Sequence, residues 1–493
     1  MRDYLLALII AVLLPLIVRY AWIGVLAWFW IGLFAPQWHT WTFMRGAPLA
    51  TYVGGVTLIA LFLAKDRKPF PFTRETIMLF VLAGYFAMTS FFAVNSSGAW
   101  DFWIHFMKIL LITFVTPMLI YGERRIVWLL LVITASLAFY GFKGGLFAIQ
   151  TGGAHHVLGP TGSYLSGNTY IGLAMLMVLP LILATARMFD RRWAADLGIE
   201  LLNRFSRPIG WFSYAVFWLT TIAILATYSR GAFVGLLAIA PFLFWHMQKK
   251  WLMVLAGFVL VAVVGVTAPD RLVERWQTIE TYEEDTSAMQ RIQSWGVAWN
   301  MAMERPLTGM GFRNTALGYD WWISYANFEG TWRHVLSPHS VYFGILGQHG
   351  FGGLAVFLLL VGFTFFTLNR VRKTARGRTG QIWLSEYAWA LQIGLVGYLV
   401  AGAFLDVAYF NLLYAFIALA VIMRRELESV PLPEARPSIA PAALGPAQPR
   451  TGPEPAASPA PTASAPGPAA TSQDNLMSGS LMDEPDRNAP PTR

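Results

Sequence analysis

The sequence predicts an all-α polytopic membrane protein of about 12 transmembrane helices, and three observations carry that reading. Apolar residues make up 56% of the 493 and charged residues 13%, against about 45–50% and about 25% in a soluble domain. Mean hydropathy is +0.51, so there is too little charge to coat a water-exposed surface. Apolar runs of spanning length, about 20 residues each, recur along most of the chain. The net charge of +9 would suit a nucleic-acid partner, but in a membrane protein it marks loops kept in the cytoplasm, and no nucleic acid is expected. The chain has no cysteine, which excludes disulfides, thiol catalysis, Fe–S clusters and Cys-ligated zinc.

Taken in order, the first stretch, 4–34, is apolar throughout except for Arg19, with Pro15 near its middle. Further spans are predicted at about 50–64, 77–94, 100–121, 126–148, 168–186, 210–227, 231–247, 251–268, 341–368, 385–403 and 407–423. Alternate loops carry the basic clusters: Lys65, Arg67, Lys68 and Arg74; Arg124 and Arg125; Arg187, Arg191, Arg192, Arg204 and Arg207; Lys249 and Lys250; Arg370, Arg372, Lys373, Arg376 and Arg378; Arg424 and Arg425. Short basic loops stay on the cytoplasmic side. All clusters share that side if 4–34 crosses once, which gives twelve spans with both termini in the cytoplasm. Two crossings would place the N-terminus outside, and Arg2 weakly opposes that. The first segment lacks a small-residue cleavage site and is read as retained. The stretches facing the periplasm are then about 149–167, the turn Tyr228–Ser229–Arg230–Gly231, and a large loop at about 269–339. Residues 431–493 are rich in Pro, Ala, Ser and Gly without an aromatic residue. That composition predicts a disordered cytoplasmic tail.

The large loop is the one external stretch long enough to build a site. It holds Arg271, Arg275, Arg291, Arg305, Arg313 and Arg333, with Asp270, Glu274, Glu280, Glu283, Glu284 and Asp285 as available ion-pair partners. Within it, Ile292, Trp295, Trp299 and Met303 fall at helical spacing. This predicts an amphipathic helix near the lipid headgroups, ended by Pro306. Arg230 sits at the external end of one span, one residue before the next. An arginine there either snorkels to the interface or faces an anionic headgroup, which its forked donors suit. Lys143, near the external end of its own span, is a second candidate for such a pocket. In Leu336–Ser337–Pro338–His339–Ser340 the spacing predicts Ser337 as N-cap and Pro338 as the first helical residue, with His339 in the first turn. A helix end and a nearby arginine lower an imidazole's pKa, leaving either a neutral general base or a hydrogen-bonded interfacial histidine. The sequence holds no Asp-x-Asp, His-Glu-x-x-His, phosphate-binding Gly-x-x-x-x-Gly-Lys or Gly-x-Ser-x-Gly, so no metal and no cofactor are expected.

These residues also carry a resemblance. Tyr228–Ser229–Arg230–Gly231–Ala232 resembles the Ser-Arg-Gly signature of the O-antigen ligase and polymerase superfamily. Arg305–Pro306–Leu307–Thr308–Gly309–Met310–Gly311–Phe312 resembles its Arg-Pro-Leu-x-Gly-x-Gly turn, and the segment from His339 to Gly350 resembles its His-Asn-x-Tyr-Leu-x-x-Leu-x-Glu-x-Gly motif. Ser340 stands in place of the Asn and Gln348 in place of the Glu. Residues 140–145 and 278–285 look like the subgroup of exosortase-associated O-glycosylation ligases. The resemblance covers about 1–425 and omits the tail.

The resemblance implies a multi-span, GT-C-like glycosyltransferase in the bacterial inner membrane with a periplasmic site and no need of a metal. It would move a preassembled glycan from undecaprenyl diphosphate to lipid A–core oligosaccharide, with inversion. His339 would be the base, and Arg230 and Arg291 would bind the diphosphate. Lys143 and Arg313 are further diphosphate candidates. Glu283, Glu284, Asp285 and Tyr342 are candidates for acceptor contacts or for structural roles. A protein O-glycosylation ligase or an O-antigen polymerase would use the same donor site. A lipid-linked glycan transporter and an assembly scaffold are the readings from other classes.

Overall fold

The computed structural model describes residues 1–191, 200–247, 286–327, 334–378 and 380–429, together with 250, 251 and 257. The expected span at 251–268, most of it, and the expected tail at 431–493 lie outside the described residues, as do Glu283, Glu284 and Asp285.

The described chain is helical. We number the longer helices α1 (Arg2–Arg19), α2 (Ala21–Phe34), α3 (Leu49–Leu63), α4 (Arg74–Phe91), α5 (Ser96–Leu119), α6 (Gly122–Gln150), α7 (Asn168–Asp190), α8 (Ser206–Leu225), α9 (Arg230–His246), α10 (Thr286–Glu304), α11 (Val341–Arg376), α12 (Ile382–Gly402) and α13 (Asn411–Ser429). Five of them, α5, α6, α7, α8 and α11, are long and apolar enough to cross a membrane, and α2, α3 and α9 are shorter apolar helices. Local chemistry sets several starts. Thr73 and Thr76 form a capping box before α4, and Asn95 caps α5 through the Gly98 N–H. Each cap satisfies amides that a helix's first turn leaves without an intrahelical partner.

α7 is buried on every side from Ile171 to Phe189, so it is a central helix with α6, α8 and α12 packed round it. Close approach is made by small residues, as when Gly145 lies on the Leu219 carbonyl and Gly394 on the Met177 carbonyl. At one end α7, α9 and α12 are tied by charge. Glu386 accepts from Arg187 at 2.9 Å and from His246 at 2.7 Å, and the His246 ring stacks on Trp389.

The bundle has two chemically different ends. One, the basic end, carries Arg67, Arg125, Arg187, Arg378 and Arg425 beside the helix termini near residues 64–68, 119–125, 246 and 425–427. The other, the loop end, gathers residues 35–48, 92–95, 151–167, 226–230, 305–318 and 403–410. Contacts link these loops: Val94 N–H to the Met310 carbonyl, Asn168 to the Thr227 carbonyl, and the Tyr228 hydroxyl to the Gly153 carbonyl.

One expectation is corrected here. Residues 4–34 do not cross once; they double back at Tyr20 as two helices. Trp22, just past that turn, lies under the Arg125 guanidinium at 5.6 Å, at the basic end. The other ends of both helices lie at the loop end. Asp3 accepts from the backbone N–H groups of Trp41, Thr42 and Met44, and the Phe34 carbonyl accepts from the Tyr140 hydroxyl. Tyr140 stands about 22 Å along α6 from Arg125 at 1.5 Å per residue. Asp3 is therefore at the end opposite Glu426, which accepts from the Gly122 N–H. The expected single crossing of 4–34 gives way to a helical hairpin because Arg19 marks a turn and not the interior of a span.

Candidate active site

The site is built at the loop end on the last turn of α12. Gly231 packs against the Ala401 carbonyl and Phe404, and Gly402 against Val341. The Tyr342 hydroxyl donates to the Leu399 carbonyl at 2.8 Å. The starts of α9 and α11, and with them Arg230 and His339, therefore share one support. Arg230 is the first residue of α9 and is exposed. Ser229 before it is the N-cap, accepting from the Ala232 N–H. The Ser-Arg-Gly pattern thus has a division of labour: the Ser caps, the Gly allows contact with α12, and the Arg faces outward.

Around His339 the structure corrects the predicted cap. α11 starts at Val341, and its N-cap is Ser340, whose hydroxyl accepts from the Phe343 N–H. His339 lies just outside the helix at φ +42°, a left-handed conformation that costs a non-glycine residue roughly 1 kcal/mol or more. Its neighbours hold it there. The Trp295 indole N–H donates to the Pro338 carbonyl at 2.7 Å, and the Trp295 ring stacks on Phe343 with centroids 5.1 Å apart. The imidazole keeps an open face, yet the protein crowding it, and next the charge of Arg291, lower its pKa from the usual 6.5. Arg291 stands one turn before Trp295 on α10, so a single helix delivers both the indole that fixes the loop and the cation that acts on the ring.

α10 is amphipathic as expected. Ile292, Trp299 and Met303 are 48%, 46% and 57% exposed, whereas Val297, Ala298, Met301 and Ala302 are buried. Its inner face meets α11 where Ala298 touches Gly347. Beside that contact is a cavity of about 60 Å³, lined by Ser294, Asn314, Trp322, Ser337, Pro338, Phe343, Gly344, Gln348 and Asp406, among others.

The two remaining motifs lock to each other. Met310 and Gly311 donate to the Gly347 and Gln348 carbonyls, and Phe351 donates to the Pro306 carbonyl. α11 is broken at Gly350, φ +67°. A side chain on Gly350 would overlap the Pro306 carbonyl, and one on Gly309 would overlap the Gln348 backbone. The Gly-x-Gly turn is therefore a clasp on the kink of α11. Beneath it lies a buried chain. Thr89 Oγ1 meets His349 Nδ1 at 2.6 Å, His349 Nε2 meets the Tyr409 hydroxyl at 3.0 Å, and Tyr409 donates to Gln348 Oε1 at 2.8 Å. Thr89 Oγ1 also donates to the Phe86 carbonyl at 3.0 Å, so the chain runs on into the backbone of α4.

The other sequence candidates part company. Arg313 turns toward α5, its guanidinium 5.9 Å from the Phe102 ring centre. Lys143 is exposed and its charge acts on His39. Tyr342 commits its hydroxyl to α12, which is a structural role. Sequence reasoning missed Asp406. It stands alone in the short link between two apolar runs, and only its position at the site end distinguishes it.

The fold and the site define an integral membrane protein, a helical bundle that presents arginines, an imidazole and a carboxylate together at one end. Residues 215–358 match the O-antigen ligase family, and that stretch holds Arg230, Arg291 and His339. That domain supports the O-antigen ligase superfamily. Residues 1–189 match a family of unknown function. No curated protein matches the chain.

Proposed function

We propose that this protein is a multi-span, GT-C-like glycosyltransferase of the bacterial inner membrane. It ligates a preassembled glycan from undecaprenyl diphosphate to lipid A–core oligosaccharide. The observation that carries the reading is the action of Arg291 on His339, inside the family-matched stretch and on the same α12 support as Arg230. The basic end is cytoplasmic by the positive-inside rule, which leaves the loop end periplasmic.

The chemistry follows from the groups present. His339, neutral at working pH, takes the proton of an acceptor hydroxyl. The acceptor oxygen bonds to the anomeric carbon as the bond from that carbon to the diphosphate oxygen breaks, and the electron pair leaves with undecaprenyl diphosphate. Arg230 and Arg291 hold that diphosphate and offset its growing charge. A single displacement inverts the anomeric centre. Positive charge comes from guanidinium groups, so transfer needs no divalent metal.

The test is transfer of labelled glycan from the lipid-linked donor to lipid A–core by purified protein in chelator. His339→Ala and Arg230→Ala are expected to abolish it. Full transfer by both variants would overturn the reading. Mass analysis of lipopolysaccharide and secreted proteins after gene deletion separates lipid A–core from a protein acceptor.

A further inference from the structure

Asp406 lies in the link between α12 and α13, between buried Leu405 and Val407. It lines the cavity together with Ser337 and Pro338, the two residues that lead into His339. It packs so closely on α11 that a Cβ on Gly344 would come within 2.9 Å of Asp406 Oδ1. Among the described residues, no hydrogen bond or ion pair reaches this carboxylate. Two of the tyrosines facing it are engaged elsewhere: Tyr398 donates to the Val407 carbonyl and Tyr409 to Gln348. Tyr170, on α7, also faces it. A half-buried carboxylate without a donor from the described chain is unfavourable, and the cavity is where a donor from outside can reach it.

We infer that Asp406 binds the acceptor, its carboxylate accepting a hydrogen bond from a sugar hydroxyl in the cavity. The inference rests on the ligase reading and narrows it: the group that enters is a neutral, hydroxyl-bearing edge of a sugar. The cavity, about 60 Å³, has room for such an edge. Charge agrees as well. Arg230 and Arg291 draw a diphosphate, while a carboxylate in the cavity repels phosphate or uronate. Donor and acceptor are thereby sorted, with the acceptor hydroxyl delivered beside His339. Burial raises the Asp406 pKa to about 6, so above that pH the group is an acceptor of hydrogen bonds only.

The test uses the full chain in detergent with undecaprenyl diphosphate-linked glycan and lipid A–core. Asp406→Asn is expected to raise the acceptor KM at least tenfold while moving the donor KM less than twofold. An acceptor KM unchanged within twofold would overturn the inference. A second measurement needs no transfer. A hydrophobic carbodiimide at pH 6 is expected to label wild-type Asp406, with lipid A–core protecting it and inorganic diphosphate not. Labelling without protection by lipid A–core would also overturn the inference, including where the variant fails to fold. Absence of transfer by wild-type protein to any acceptor overturns the ligase reading instead, and the labelling result stands apart from it.

Discussion

Trp295 donates its indole N–H to the Pro338 carbonyl at 2.7 Å. That bond joins the helix carrying Arg291 to the loop carrying His339. It closes the short side of a triangle whose other members are α11, on which the Trp295 ring stacks through Phe343, and α12, which supports Val341 and Gly231. A base held at positive φ needs such bracing, since its own backbone preference would carry it elsewhere.

Trp295→Phe keeps the ring stack and removes the bond. One hydrogen bond is worth about 1 kcal/mol net, so kcat is expected to fall about fivefold to tenfold. Trp295→Ala removes both and is expected to cost at least ten times more. Steady-state transfer rates at saturating donor and acceptor read this. Equal rates for Trp295→Phe and wild type would show that His339 is held without the indole.

Arg291 sets the pH window. The imidazole works as a base only when neutral, and its pKa is held below 6.5 by burial first and Arg291 second. Activity is therefore lost only as pH falls below that value. Removing the cation in Arg291→Gln raises the pKa, so the acid limb of kcat moves toward higher pH. Burial remains, so the limb still lies below 6.5. A kcat–pH profile of the variant at saturating donor checks the direction; a limb that stays put or moves down would remove Arg291 from the base's surroundings.

Gly350→Ala and Gly309→Ala open the clasp between the turn at 305–312 and α11. Each puts a methyl group onto backbone at a position of positive φ, and such changes cost roughly 1–3 kcal/mol or more. Thermal unfolding in detergent is expected to drop by several degrees for either variant. Gly362→Ala, where a Cβ meets open space on α11, is the control and is expected to leave it unchanged.

Much of this was legible in the sequence, for reasons particular to each residue. Spans at α5, α6, α7, α8 and α11 follow from apolar length, and α10 from the spacing of Ile292, Trp299 and Met303. His339 and Arg230 stood out because polar groups at the ends of apolar runs are few. Three things were not legible. Arg19 reads as a flaw inside a span, although it caps a turn between two short helices. Ser337 and Ser340 are equally good caps in sequence, and the choice of Ser340 depends on Trp295, forty-odd residues away, holding Pro338 out of the helix. Asp406 carries no motif, because what marks it is its place in the cavity beside α11.

The hairpin of α1 and α2 gives a topological prediction that a chain without cysteine tests cleanly. Trp41 is 71% exposed at the loop end, His155 is exposed in the loop 151–167 at that end and Arg124 is exposed at the basic end. Single cysteines at 41 and 155 are expected to react with an impermeant maleimide in intact cells, and one at 124 only after permeabilisation. A short tag before Met1 is expected to be external as well. Protection at 41 with reaction at 124 would invert the orientation.

Asp406→Asn is expected to stabilise the protein that it impairs. The folded carboxyl titrates near 6 against an ordinary value of 3.8, so the ionised group costs the folded state free energy at every pH above about 6. A raised carboxyl pKa weakens stability as pH rises, and the cost fades as pH falls toward 3.8. Two pKa units correspond to about 3 kcal/mol, an upper bound here because the carboxylate borders a cavity and keeps some hydration. Thermal unfolding should therefore favour the variant at pH 7.5 and show a smaller gap at pH 5, while transfer to lipid A–core falls at both. A site residue that lowers stability where it is ionised is retained for what it binds. A variant less stable than wild type at pH 7.5 would mean that Asp406 has a partner in the folded chain, and its place in acceptor binding would go to another group.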